Sequence, residues 1–219
     1  MNLYPALLSG SIEKLQSQID LVNDDERIAT LQIDIIDGLF ADNLTITPAD
    51  IPDLDLGRFQ YDIHLLTEEP LDYIFELQTH CQHAQIRACI AQVEKMSYQQ
   101  VFIEEVHRHD WKVGLSLDLY TPLEAIDEES WPNLDVLQLM AIEAGFQGNK
   151  FSPTIFDKIK RAQALIEISG KPIELIVDGG VSLENIQQLS EAGVISIAVG
   201  STLWRSDNPI ETITKLLMS

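Results

Sequence analysis

Basic residues are scarce in this sequence: 14 Lys and Arg stand against 35 Asp and Glu in 219 residues, a formal net charge of −21. A surface this acidic repels polyanions, which argues against nucleic acid or an anionic membrane surface as a partner. Cysteine is scarcer still, with Cys81 and Cys89 alone. Two thiols build no disulfide framework in a chain of this length, so a reducing compartment is expected, with the cytoplasm as the default location. The start of the chain lacks the positive charge that opens a secretory signal, and no apolar run nears the ~18 residues that span a bilayer. No linker rich in Pro, Gly or Ser divides the sequence, so residues 1–219 are expected to fold as one domain.

What is present is an alternation of two element types. Short apolar or β-branched runs at Leu3–Leu7, Thr30–Ile36, Phe59–Leu66, Ala88–Val93, Lys112–Leu117, Val136–Ile142, Ile173–Val177 and Ile195–Val199 predict buried strands. Segments with helical spacing lie between them, at Ile12–Val22, Leu71–His80, Tyr98–His107, Pro153–Ile168, Leu183–Ala192 and Pro209–Met218, with weaker ones near Pro48–Leu54 and Pro122–Glu129. Ser11, Ser152 before Pro153, and Ser182 are the expected N-caps. Eight units of about 27 residues fit the compact end of the (β/α)8 TIM barrel range. A doubly wound open sheet is the alternative, disfavoured because no Gly-x-Gly-x-x-Gly turn follows the first strand.

In such a barrel the chemistry sits at the C-terminal ends of the strands. Strand two closes on Gln32, Asp34 and Asp37, strand three on Asp62 and His64, strand four on Gln92 and Glu94, and strand seven on Asp178, Gly179 and Gly180. Alternation puts Gln32 with Asp34 on one face and Asp62 with His64 on another. If those faces point inward, carboxylates and an imidazole converge over the barrel mouth. Asp34 and Asp178 with His64 suit a divalent cation with mixed nitrogen and oxygen ligands, and equally a pair of acid/base groups on opposite sides of one carbon. Gly145 and Gly148 after strand six, Gly179 and Gly180 after strand seven, and Gly200 and Ser201 after strand eight would let backbone N–H groups approach a phosphate.

The ordered set Pro5-Ala6-Leu7-Leu8-Ser9, Asp34-Ile35-Ile36-Asp37-Gly38, Asn43-Leu44-Thr45, Asp62-Ile63-His64-Leu65, Thr121-Pro122, Met140, Gly145-Phe146, Val177-Asp178-Gly179-Gly180-Val181 and Val199-Gly200-Ser201 resembles the ribulose-phosphate 3-epimerase family over nearly the whole chain. The resemblance implies a barrel of the ribulose-phosphate-binding type. It implies a small phosphorylated ketose as substrate and a divalent metal, Zn, Mn, Fe or Co, held by Asp34, His64 and Asp178. Asp34 and Asp178 become the acid/base pair, Ser9 a contact near the reacting end of the substrate, and the backbone at Gly148, Gly179, Gly180, Gly200 and Ser201 the phosphate grip. A homo-oligomer is implied as well.

The chain departs from that family at several points. Gln32 stands where the family has a fourth, histidine ligand, Gln92 replaces the His that opens the strand-four signature, and Ile36 and Leu66 replace two of three methionines. A neutral amide oxygen is a harder and weaker donor than imidazole. The glutamines therefore favour an alternative, a non-catalytic or re-purposed sugar-phosphate-binding barrel, which Asp34, His64 and Asp178 together oppose. The clusters His80-Cys81-Gln82-His83 and His107-Arg108-His109 lie at predicted helix ends and read as solvated termini, not as metal sites.

Overall fold

The computed structural model describes residues 1–81, 85–144 and 150–218. Strands β1 (Asn2–Leu7), β2 (Thr30–Ile36), β3 (Gln60–Leu66), β4 (Ile86–Gln92), β5 (Lys112–Leu117), β6 (Val136–Met140), β7 (Glu174–Asp178) and β8 (Ser196–Val199) pair in sequence order. All pairs are parallel, and β8 returns to β1, so the sheet closes and the open-sheet alternative is excluded. Outside it run α1 (Ile12–Val22), α2 (Pro70–His80), α3 (Gln99–His107), α4 (Ile155–Ser169), α5 (Ile186–Glu191), α6 (Ser201–Trp204) and α7 (Pro209–Met218). The chain is a (β/α)8 TIM barrel, and the weak segments near Pro48 and Pro122 are 3-10 turns, Pro48–Asp53 and Leu123–Ala125.

Ser11 caps α1 as expected, its hydroxyl accepting from Lys14 N at 3.2 Å. Two other expected caps are corrected. Ser152 lies ahead of α4, whose N-cap is Thr154, and its hydroxyl pairs with that of Thr154. Ser182 opens a turn in which its own N–H donates to Asn185 Oδ1, and α5 begins only after Asn185.

The strands are buried on both faces, as parallel strands covered by helices must be. Their outward residues join the helices in one large core, while Tyr4, Ala6, Ala88, Ile90, Val136, Ile176 and Ala198 fill the interior at mid-height. Gly114 makes that filling possible: a Cβ there would lie 2.6 Å from Ile90 Cγ1. Above this plug lies a polar layer, with Gln32, His64, Gln92, Ser116 and Gln138 fully buried and Asp34 and Asp178 nearly so.

The N-terminal end of the barrel carries a different polar group. Between β3 and β4 the register jumps from Tyr61↔Ile86 to Asp62↔Ala88, so Arg87 has no partner across the pair. The bulge lets the guanidinium reach Asp62 on two nitrogens and Glu174 at 2.7 Å, and lie over the Tyr4 ring. Glu174 in turn accepts from Tyr4 and Ser196. Asp62 therefore serves this closed network at the barrel floor and not the mouth, which corrects the expectation from strand alternation.

Removing Arg87 leaves two partly or fully buried carboxylates uncompensated, so Arg87→Met should lower unfolding stability by about 3–5 kcal/mol, read from urea melts; a loss below ~1 kcal/mol contradicts the network's role. Gly114→Ala should cost about 1–3 kcal/mol by overpacking, and Ile90→Ala in the same chain should recover much of it. Additive costs in that double-mutant cycle would show that the two side chains do not compete for one space.

Candidate active site

Each site residue is delivered by a strand end and pinned by its loop. Asp34 comes from β2, where Thr45 accepts from Ile36 N at 2.9 Å and donates to Asp34 O at 2.8 Å. Asp37 is a turn residue, its carboxylate accepting from Leu39 N, Phe40 N and, at 2.7 Å, Glu68 N, which ties the loop after β2 to that after β3. His64 stands beside Asp34 in register across β2 and β3. Asp178 ends β7, and its carbonyl accepts from Ala141 N at 2.6 Å.

The side chains meet at one point. His64 Nδ1 lies 3.0 Å from Asp34 Oδ1 and 3.6 Å from Asp178 Oδ2. Gln32 Nε2 donates to Asp34 Oδ1 at 2.8 Å and to Asp178 Oδ2 at 2.7 Å. Burial, and then the neighbouring Asp34 charge, lift the Asp178 carboxyl to about 6, against the pull of His64 and the Gln32 hydrogen bond. Gln138, which sequence reasoning missed, donates to Asp178 Oδ2 at 3.0 Å and lies 3.2 Å from His64 Nδ1. Gln92 reaches the other ring nitrogen of His64 at 3.1 Å. The signal for Gln138 was its place between Val136 and Met140 on the inward face of a strand read only as apolar.

Among the described residues, Asp34, His64 and Asp178 form the one group of three acidic, His or Cys side chains able to share an ion, each offering a ligand atom within 4.8 Å of the others. The donor set fits a divalent cation: two carboxylates and an imidazole, with the oxygens of Gln32, Gln92 and Gln138 buried beside them and without hydrogen-bond partners. The cavity above holds about 40 Å³, room for an ion or a water. Leu66, Met140 and Ile142 line it as an apolar roof, packed in one cluster with Ile36 and Ala144.

Gly179, Gly180, Gly200 and Ser201 line the same opening. Gly179 and Gly180 have φ of +94° and +66°, and a Cβ on Gly179 would lie 2.4 Å from Ile142, so the turn after β7 requires both glycines. Ser9 is not among the lining residues; its hydroxyl accepts from Ser11 N at 3.1 Å in the turn into α1. Gly145 and Gly148 lie outside the described residues, as does His83. Asp118 at the rim accepts from Ala144 N at 2.9 Å, and Lys158, whose amine burial pushes down to about 8, donates to the Asp118 carbonyl at 2.6 Å. His107 faces Asp135 and His109 faces Glu105, and among the described residues neither belongs to a group of three side chains able to share an ion; Cys81 and Cys89 are buried free thiols. No helix among the described residues is long and apolar enough to cross a membrane.

Comparison with known proteins places this geometry. A ribulose-phosphate 3-epimerase of Bacillus subtilis (strain 168) is 31% identical over 223 residues, covering 99% of this chain and 98% of that protein. Ribulose-phosphate 3-epimerase 2 of Cupriavidus necator is 28% identical over 211 residues, covering 93% and 84%. Among solved structures, a chain of the tryptophan synthase a2b2 complex from Pyrococcus furiosus superposes with a TM-score of 0.65 over 100% of this chain and 98% of that one; at 15% identity it speaks for the fold alone. The model of the Ribulose-phosphate 3 epimerase family matches residues 2–204, and the chain belongs to that family.

Proposed function

We propose that the chain is a metal-assisted ketose-phosphate 3-epimerase, interconverting ribulose 5-phosphate and xylulose 5-phosphate, with Asp34 and Asp178 as the proton-transfer pair. One observation carries the reading: two buried carboxylates, from β2 and from β7, arrive at a single amide, Gln32 Nε2, at 2.8 and 2.7 Å. With a substrate carbon between them, one takes the C3 proton and the other delivers a proton to the opposite face, which inverts the carbon. A carboxyl lifted to about 6, as Asp178 is, holds and releases a proton near neutrality, as a group that alternates between acid and base must. The apolar roof keeps bulk water from the carbon while it lacks its proton.

Asp34, His64 and Asp178, joined by the amide oxygen of Gln32, would hold a divalent cation, Zn, Mn, Fe or Co; bound there, it supplies Lewis-acid stabilisation where negative charge develops on the ketose oxygens. Backbone N–H groups at Gly179, Gly180, Gly200 and Ser201 grip the phosphate, with Gly145 and Gly148 assigned to the same task by sequence position alone. Ser9 is assigned to the reacting end of the substrate on the same ground. A chain of charge −21 cannot draw a phosphate ester by its overall field, so binding rests on these local donors, with the distant carboxylates screened over roughly 8–10 Å in physiological salt. A small homo-oligomer completes the proposal, and sedimentation of a monomer at micromolar concentration would contradict it.

Incubated with ribulose 5-phosphate in deuterated water and Mn²⁺, Zn²⁺, Fe²⁺ or Co²⁺, the protein should place deuterium at C3 and yield xylulose 5-phosphate; phosphate-competitive binding without exchange for any metal would favour the non-catalytic barrel. The metal-free protein gives a second check. Its folded state binds a proton at Asp178 that the unfolded chain has already lost, so this group makes stability fall as pH rises from 3.8 to about 6. Asp178→Asn should lack that decline, and equal pH slopes in urea melts of the two metal-free proteins would refute the shifted carboxyl.

A further inference from the structure

Gln32, Gln92 and Gln138 come from three different strands and turn their amide nitrogens to one imidazole: Gln32 and Gln138 lie 3.5 and 3.2 Å from His64 Nδ1, and Gln92 lies 3.1 Å from Nε2. The oxygens of all three are buried with no partner. A buried amide oxygen left unpaired bears the full cost of its desolvation, and three such amides gather at a single ring. The hydrogen bonds at Nδ1 conflict as well. Asp34 Oδ1, at 3.0 Å, calls for a proton on that nitrogen, whereas the Gln138 amine calls for a lone pair. Ser116, in register with both Gln92 and Gln138, also has a buried hydroxyl without a partner.

A divalent cation among these groups resolves the conflict at Nδ1. We infer that Gln138 is, beside Gln32, an oxygen ligand of the cation, and that the amides of Gln32, Gln92 and Gln138 turn over together when it enters. The inference rests on the metal site of the proposed epimerase. Turnover needs only rotation about the terminal torsion of each glutamine, which is broad and two-fold. It puts oxygens where the nitrogens of Gln32 and Gln138 now stand, 2.7 and 3.0 Å from Asp178 Oδ2, spacings that neighbouring ligands of one small cation adopt. With Nδ1 on the metal, Nε2 carries the ring proton and needs an acceptor, which a turned Gln92 provides through its oxygen. Without the cation, the Gln32 amine stands in for it, its two hydrogens bridging two carboxylates of like charge.

The resulting donor set is one imidazole nitrogen, two carboxylate oxygens and two amide oxygens. Zinc is content with four ligands, whereas Mn²⁺ prefers six and favours oxygen. Gln138 should therefore matter more to Mn²⁺ than to Zn²⁺.

The test uses the full chain stripped of metal, with Mn²⁺ binding read from the EPR signal of free Mn²⁺ and Zn²⁺ binding from competition with a chromophoric chelator. Gln138→Met should weaken Mn²⁺ binding by about 10-fold or more and Zn²⁺ binding by a smaller factor, and Gln138→Glu, which keeps an oxygen, should restore Mn²⁺ affinity. Unchanged Mn²⁺ affinity in Gln138→Met, or equal losses for both metals with no rescue by Gln138→Glu, overturns the inference. A crystal structure of the unaltered chain with Mn²⁺ covers the case of a variant that does not fold. Gln138 Oε1 bonded to the metal supports the inference, and a water between them, or Mn²⁺ elsewhere, defeats it. Deuterium exchange at C3 is scored separately: exchange without Gln138-dependent metal binding sinks this inference alone, and Gln138-dependent binding without exchange sinks the epimerase reading alone.

Discussion

Two carboxylates of like charge are held in a nearly dry space at the top of the barrel, and the NH₂ group of Gln32 stands between them at 2.8 and 2.7 Å. Charges so placed repel strongly, because little water is there to screen them. The strain shows on Asp178, which burial and the Asp34 charge push up toward neutrality. Parallel closure makes the confinement unavoidable: once β1 to β8 pair in order, the C-terminal ends of β2, β3 and β7 face one opening, and inward alternation aims Asp34, His64 and Asp178 at its centre.

The two ends of the barrel treat buried charge in opposite ways. At the floor, the Arg87 bulge closes Asp62 and Glu174 into a network with Tyr4 and Ser196, so each carboxylate has a partner. At the mouth, among the described residues, the carboxylates of Asp34 and Asp178 meet the amides of Gln32 and Gln138 and the His64 imidazole, and three amide oxygens go unpaired. Charge at the floor is paired within the fold; the surplus at the mouth is what the proposed cation and substrate would answer. The plug of Ala88, Ile90, Val136, Ile176 and Ala198, which Gly114 leaves room for, keeps the two polar layers apart.

Much of this was legible in the sequence, because strands buried on both faces read as continuous apolar runs and the helices between them keep their 3.6-residue spacing. Asp34, His64 and Asp178 stood out as charged residues ending such runs. What escaped depends on contacts across the sheet. Arg87 looks like the polar boundary of a strand that in fact begins at Ile86, and only a register shift turns it inward. Asp62 shares a face with His64 but lies one inward step lower, where Arg87 claims it. Gln138 is a single polar residue inside an apolar run, and its meaning comes from β3 and β7, distant in sequence. The starts of α4 and α5 shifted because Ser152 and Ser182 spend their hydrogen bonds in turns ahead of the helices.

The central proposal is that Asp34 and Asp178 serve opposite faces of one carbon. It is tested most directly by Asp34→Asn, whose amide oxygen keeps a ligand on the metal side while the acid/base function is gone. In tritiated water, such a protein should exchange the C3 hydrogen of one ketose-phosphate epimer, through Asp178 alone, while interconversion of the two epimers is lost. Exchange from both epimers at similar rates, or interconversion that persists, would contradict one carboxylate per face.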